Sequence, residues 1–471
     1  MKSILFINPP ATRRGEVIIR DLDRSGRKSM ENTIWPQTSL AYLAAVMKPT
    51  HDVDVIDCIG LDMYWPEFEK ELEERKPDYV LFNVISSTLG NDMRVAESAK
   101  RNGGVTIAVG PHVTAIPEET LEGFTHVDYI LIGEAEETLR ELIDTIEDGK
   151  DPRKVKGIAF RRDGNIVVTP ERPLTDLEEL PIPLHELLPI HRYNLPFIGK
   201  RYTFIVASRG CPYRCTFCRS PVTWKWKVRV RSAESIIREL RYLKGIGVRN
   251  FMFHTDVFTI DREVLITLCK KMVEEKLGMR WVCNSRVDTV NEEKLSWMKK
   301  AGCWMIAYGI ESGSQAVLDN VSKGINREQI ETAVTLTKRA GIKIWGYFII
   351  GLPGENSQTV NETIELSKRL DLDLVNFAIG TPYPGTLFYK EAKEKGWLVA
   401  ERWEQYDQNY SPAVSYPEFS DKDILKAIKR AYLAWYLRPK AVLKIIGGIG
   451  SFHDAYVLFR VAVNHIMFIK R

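Results

Sequence analysis

The stretch Ser208–Pro221, SRGCPYRCTFCRSP, carries three cysteines in the spacing C-x3-C-x2-C. The 471-residue chain has only seven cysteines, and three of them fall within these few positions. A strand-like run, Tyr202 to Ser208 (YTFIVAS), leads into them and places them on a loop at a strand end. A closed structural zinc site takes four protein ligands. The nearest further candidates, His191 and Cys269, lie outside any zinc-ribbon spacing. Three thiolates can instead hold a [4Fe–4S] cluster with one iron open to a substrate or cofactor. A purely structural loop is the competing reading.

Downstream, short apolar segments alternate with helical stretches such as REQIETAVTLTKRAGI. The segments are Phe251–Ile260, Trp281–Val290, Met305–Gln315, Gly346–Glu355 and Val375–Thr386. Upstream, buried-strand runs at Ile4–Ile7, Val53–Gly60, Asp78–Ser87, Thr106–His112 and Val127–Glu136 alternate with helices. Those helices are read near Ser39–Met47, Trp65–Arg75, Asp92–Arg101 and Glu118–Glu122. This pattern predicts a parallel sheet covered on both faces. Ligands of such sheets bind outside the carboxyl ends of the strands. That rule singles out Asn8, Pro9, Ser86, Ser87, Gly110, Pro111, His112, Gly133 and Glu134, with ordinary helix caps and turns as the alternative. The first strand is not followed by G-x-G-x-x-G, which argues against a dinucleotide. Residues 141–197 read as a connector with a small hairpin, turning at Asp163-Gly164-Asn165 and ending in the proline-rich ELPIPLHELLPI.

Apolar content of 44% and charged content of 27% are those of an ordinary globular protein. The N-terminus, MKSILFINPP, does not read as a secretion signal, and no run of eighteen uncharged apolar residues predicts a spanning helix. The odd cysteine count without a disulfide framework points to a reducing, cytoplasmic setting. The net charge of +4 is unevenly spread: Asp421–Arg471 holds ten Lys and Arg against three Asp. A nucleic-acid binder, basic throughout, would look different, so no nucleic-acid partner is expected.

The cysteine loop, with Phe217 before its last cysteine, resembles the radical S-adenosylmethionine superfamily, and the ESGS and GLPGE segments follow in the family's order. The resemblance implies that Cys211, Cys215 and Cys218 hold a [4Fe–4S] cluster whose fourth iron chelates S-adenosylmethionine. It also implies a partial (β/α)6 TIM-type barrel over 198–400. By the same resemblance the backbone near Phe217 faces the adenine, and Arg286 and Glu311 meet the methionine carboxylate and the ribose hydroxyls. Ser312 and Gly351 complete the pocket. Arg286 as a surface salt bridge stays open. Cys58, Cys269, Cys283 and Cys303 lack cluster spacing and read as core residues.

A doubly wound, Rossmann-like domain over 1–140 ahead of such a barrel resembles the cobalamin-binding subgroup. GPHVTAIPEE, DYILIGEAEETL and TPYPGTLFY resemble the branch of anaerobic magnesium-protoporphyrin IX monomethyl ester cyclases and hopanoid-modifying enzymes. The D-x-H-x-x-G motif is absent: DCIG at Asp57 has no histidine. His112 is then a candidate for the lower face of cobalt. The subgroup implies hydrogen abstraction by a 5′-deoxyadenosyl radical followed by methylation. Ring formation or carbon–carbon bond formation are alternatives, and an iron–sulfur electron-transfer or redox-sensing protein is a rival of another class. A flavodoxin or ferredoxin would supply electrons. The C-terminal helical region, 401–471, mixes Trp, Tyr, Phe and Leu with basic residues. Two readings stand: an interfacial segment on the inner face of the membrane, with a lipid or isoprenoid-like substrate, or a cap on the barrel.

Overall fold

The structure, a computed structural model, describes residues 1–447 apart from 22–25, 31–32 and 196–198, and thereafter only 449, 455, 458–461, 463, 464 and 468. The end of the expected connector at Phe197 and much of the basic tail lie outside the described residues. Two compact units divide the chain.

The first unit comprises Met1–Ser29, Ile34–Tyr193 and Arg219–Lys225. Its strands β1 (Ser3–Asn8), β2 (Asp52–Asp57), β3 (Tyr79–Asn83), β4 (Val105–Val109) and β5 (Tyr129–Leu131) run parallel in the order β2-β1-β3-β4-β5. Apolar runs such as ILFI and YVLF suit strands buried on both faces. Helices Thr38–Met47, Trp65–Arg75, Leu89–Arg101 and Pro117–Gly123 fall where periodicity places them. The strand expected through Gly60 stops at Asp57, because that carboxylate accepts from Gly60 N (3.0 Å) and caps a one-turn helix, Cys58–Leu61.

The hairpin also departs from expectation. Its strands β6 (Ile158–Arg162) and β7 (Asn165–Val168) add antiparallel to β5, making seven strands in one sheet. They cover the β5 edge, which would otherwise expose unpaired backbone. Asp163 (φ 51°) and Gly164 (φ 79°) take the left-handed backbone of a tight hairpin turn. Helix Glu136–Glu147 crosses the expected boundary at 140, and the unit continues to Tyr193.

The second unit holds six parallel strands in chain order, the arrangement of a partial barrel: β8 (Tyr202–Ile205), β9 (Asn250–Phe253), β10 (Arg280–Ser285), β11 (Cys303–Glu311), β12 (Lys343–Ile350) and β13 (Leu374–Ile379). Helices Ala233–Gly245, Arg262–Glu274, Glu292–Lys300, Arg327–Arg339 and Ser357–Arg369 return the chain between strands. Ser232, Asp261, Asn291, Asn326 and Asn356 each cap one by accepting a backbone N–H. Phe251, Phe253, Phe258 and Trp281 pack as stacked and edge-on rings inside. Several strands are shorter than the apolar segments read from sequence, which leaves residues such as Asp256, Arg286 and Gly351 just beyond their carboxyl ends.

Helix Asp421–Tyr436 lays Ile424, Ile428, Tyr432 and Trp435 on this unit. Trp435 Nε1 donates to Ser367 O (3.0 Å) and Tyr436 Oη to Val375 O (2.7 Å). That face is the cap anticipated as one of two readings. Not every aromatic of the tail joins that cap: Phe459 is 66% exposed. Not every cation of the tail is free to face a lipid surface: Lys444 binds Asp371 (2.7 Å).

Candidate functional site

The loop after β8 is pinned at two points. Gly210 N donates to Asp256 Oδ2 (3.1 Å), and Thr216 N donates to Val321 O (3.0 Å). Between them stand Cys211 and Cys215, with Cys218 just beyond; all three are free thiols, half-buried. Burial pushes the Cys211 thiol up to about 11, so metal binding must displace its proton. Among the described residues, no three His, Cys, Asp or Glu side chains surround a single metal position. Three separate thiols suit a four-iron cluster, in which each would bind a different iron. Phe217 packs its ring on Val317, Val321 and Leu352 and so anchors the loop.

Arg286, just beyond β10, is 4% exposed, which rules out a surface salt bridge. Its Nε and Nη2 each donate to Asp288 (both 2.9 Å), Nη2 also donates to Lys323 O (2.9 Å), and Nη1 lies 3.9 Å from Cys215 Sγ. The guanidinium sits 3.5 Å from the Tyr213 ring centre. Burial opposes its charge, but Asp288 and then Cys215 outweigh burial and hold its pKa above the ordinary value. The two-pronged edge expected to grip a methionine carboxylate is occupied by Asp288. The arginine is, in this arrangement, a fixed cation beside Cys215.

Glu311 ends β11 with a left-handed backbone (φ 66°), after a register shift between Gly309 and Glu311. Its carboxylate turns back to the buried Lys323 Nζ (2.7 Å). A Cβ at Gly309 would lie 2.4 Å from Glu311 Oε1, so only glycine leaves the pair room. Burial opposes the Lys323 charge, and Glu311 and Cys215 more than restore it. Ser312 is buried, its Oγ 3.1 Å from Thr363 Oγ1, and shapes the turn after β11. Gly351 N donates to Glu355 Oε2, and Gly351 O accepts from Tyr416 Oη (2.8 Å). Glu355 Oε1 has no hydrogen-bond partner among the described residues, and burial raises its carboxyl to about 8. Lys323, Tyr213, Asp288 and Glu355 were not anticipated as site residues; Tyr213, Asp288 and Glu355 lie within segments singled out from sequence, whereas nothing local marks out Lys323.

In the first unit, β1 and β3 flank the point where strand order reverses, the binding crevice of doubly wound sheets. Asn83, ending β3, is buried with neither amide atom hydrogen-bonded among the described residues, and Ser87 Oγ is likewise unpartnered. Such groups call for a ligand or water. Gly110 (φ 129°) lies against Asn83: a Cβ there would meet Val84 O at 2.5 Å and Asn83 Oδ1 at 2.7 Å. Beyond Gly133, a Cβ would meet open space. These features fit a large polar cofactor. Asn83 was missed, although a lone polar residue in the run YVLFNVI was its signal.

The remaining candidates there are engaged within the unit. Asn8 Nδ2 donates to Asp57 Oδ1 (2.6 Å), and Arg20 Nη1 donates to Pro9 O (2.8 Å). Arg20 also pairs with Asp92 (2.7 Å), and Tyr193 Oη donates to Asp57 Oδ2 (2.7 Å). Asn8 and Pro9 therefore belong to a buried strut. Pro111 O accepts from Arg219 Nη2, and Glu134 Oε2 accepts from Thr175 N (2.8 Å). His112 Nδ1 lies 2.9 Å from Ser86 Oγ, and burial, reinforced by the Arg219 charge, lowers its pKa to about 3. The imidazole is neutral at physiological pH.

Comparison with known proteins gives the same two parts. A family model described as "Radical SAM superfamily" matches residues 205–367, and one described as "B12 binding domain" matches 32–143. An uncharacterized methyltransferase of Pyrococcus horikoshii is 34% identical over 90% of this chain and 92% of its own length. An anaerobic magnesium-protoporphyrin IX monomethyl ester cyclase of Rubrivivax gelatinosus is 30% identical over 87% of this chain and 75% of its own. Among solved structures, the radical S-adenosylmethionine methyltransferase TsrM of Kitasatospora setae, with cobalamin and a [4Fe–4S] cluster bound, aligns with a TM-score of 0.72. It is 16% identical and covers 99% of this chain and 100% of its own, a likeness of fold.

Proposed function

We propose that this chain, which belongs to the radical S-adenosylmethionine family that carries a B12-binding domain, methylates an unactivated carbon of a lipid or isoprenoid-like substrate. The alternative of an iron–sulfur carrier without a substrate falls with that membership. Its cofactors are a [4Fe–4S] cluster, S-adenosylmethionine and cobalamin, which when bound supply a carbon-centred radical and a transferable methyl group. The protein's part is to hold and orient. Cys211, Cys215 and Cys218 would hold the cluster, and the buried cations Arg286 and Lys323 would balance thiolate charge beside Cys215. Glu311, Ser312 and Gly351 would shape the S-adenosylmethionine pocket. Asn83, Ser87 and the clearance at Gly110 would receive cobalamin.

One observation carries the choice of substrate class. On the helix Asp421–Tyr436 and the residues after it, Leu433, Leu437, Val442, Leu443, Ile446 and Phe459 are all exposed. They lie with the exposed cations Lys426 and Arg430, which line a surface groove with the half-buried Lys429 and with Leu433. One face of this helix covers the barrel; the other has the composition of an interfacial surface. No helix among the described residues is long and apolar enough to span a membrane, so the association would be peripheral, on the cytoplasmic side. The electron donor would be a flavodoxin or ferredoxin.

The test uses reconstituted holoenzyme, S-adenosylmethionine with a deuterated methyl, and lipid extract from a strain lacking the protein. Deuterated methyl in a lipid product is expected, together with 5′-deoxyadenosine. Label appearing only in water-soluble products would refute the lipid reading. The relation to ester cyclases favours ring closure as a second reading. It requires 5′-deoxyadenosine with an unlabelled product that has lost hydrogen.

A further inference from the structure

Arg209–Arg231 holds seven Lys and Arg and no Asp or Glu. Several of these cations have structural duties. Arg231 pairs with the buried Glu239 (2.5 Å), Arg219 donates to Pro111 O, and Lys225 pairs with Glu171 (2.8 Å). Arg214 and Lys227 are exposed instead. Arg214 lies between Cys211 and Cys215, so its Cα is about 3.8 Å from that of Cys215. Its guanidinium stands 5.5 Å from the ring centre of Trp226, a tryptophan 37% exposed. Lys225 (φ 50°) and Trp226 (φ 57°) take left-handed backbone in succession, a conformation strained for residues with side chains. The strain holds an aromatic ring and two cations in solvent at the edge of the cysteine loop. A merely solvated basic segment needs neither the strain nor the indole.

We propose that Arg214, Trp226 and Lys227 form the docking face for a small acidic one-electron carrier of the flavodoxin class. The proposal rests on the cluster assignment and is independent of what is methylated. One electron leaves the carrier's fully reduced flavin, which stays one-electron reduced, and enters the cluster; no bond forms or breaks. The charges steer an acidic partner, and the exposed indole supplies apolar contact. Electron-transfer complexes are small, so a face of this extent suffices.

The test follows oxidation of photoreduced flavodoxin by holoenzyme in stopped flow, without substrate. The wild-type rate should fall as salt rises. The double variant Arg214→Glu/Lys227→Glu should lose roughly tenfold or more at low salt, and Trp226→Ala and Lys227→Glu alone should each lose part of that. Dithionite should give the same electron-paramagnetic signal of the reduced cluster in every variant. Equal rates for wild type and double variant, or a wild-type rate indifferent to salt, would overturn the proposal. So would loss of dithionite reduction in Trp226→Ala and Lys227→Glu, or efficient reduction of the wild type by a ferredoxin but not by flavodoxin.

Discussion

Replacing Gly110 by Ala is the sharpest probe of the first unit. Gly110 has φ 129° and ψ 179°, a region open essentially to glycine alone, and forcing a side chain into it costs about 1–3 kcal/mol. The new Cβ would also stand 2.5 Å from Val84 O and 3.1 Å from Val84 N, backbone atoms that a rotamer change cannot move. Overpacking of that kind costs about 1–3 kcal/mol more. Taking about 3 kcal/mol as the lower middle of that range, the first unit should melt about 10 °C lower, from about 2–4 °C per kcal/mol for a domain of this size. Calorimetry on cofactor-free protein measures this directly. Corrinoid absorbance after reconstitution should fall in parallel, because Asn83 Oδ1 is 2.7 Å from the same Cβ. A bulkier replacement such as Gly110→Trp would thus unfold the strand end before it could merely block a cofactor. Wild-type melting together with full corrinoid binding in Gly110→Ala would refute the reasoning.

Cys211→Ala, Cys215→Ala and Cys218→Ala should each abolish the iron–sulfur absorbance and 5′-deoxyadenosine formation. Cys269→Ala, in the core, should keep the cluster and lose about 1 kcal/mol of stability, measured by denaturant titration. Glu355 holds its proton to about pH 8 when folded against an ordinary 4.5, so the native state binds more protons than the unfolded state across that window. Its contribution is complete below the ordinary value and declines by about 1.4 kcal/mol per pH unit as pH rises through the window; Glu355→Gln should flatten that slope in melting curves. Changing Lys426, Lys429 and Arg430 together to Gln should weaken binding to anionic vesicles by about 1 kcal/mol per charge, an effect lost at high salt. Lys444→Gln should lower stability instead, since Lys444 binds Asp371 and, outweighing burial, helps hold its carboxyl at about 2. Salt-insensitive or absent vesicle binding by the wild type would refute the interfacial reading.

The sequence by itself determined what depends on neighbours along the chain. The spacing of Cys211, Cys215 and Cys218, the alternation of β-branched runs with amphipathic helices, and the turn at Asp163-Gly164 are local patterns with local causes. They were enough for two α/β parts, and the resemblance of the cysteine loop to a known family supplied the cofactors. Boundaries and roles needed the tertiary structure. Asp57 stops β2 because Gly60 N reaches its carboxylate, whereas Asn8 is tied up by Asp57, 49 positions along, and Pro9 by the buried Arg20. Arg286 faces Cys215, and its carboxylate grip is taken by Asp288, which only the loop's folding decides. Lys323 carries no mark in sequence; burial beside Glu311 makes its charge matter. The tail's composition suited a cap or an interface equally well, and its helix serves as a cap on one face and exposes leucines and lysines on the other. Composition states how much apolar surface a segment has. Which part of that surface is covered depends on contacts between residues distant in the chain.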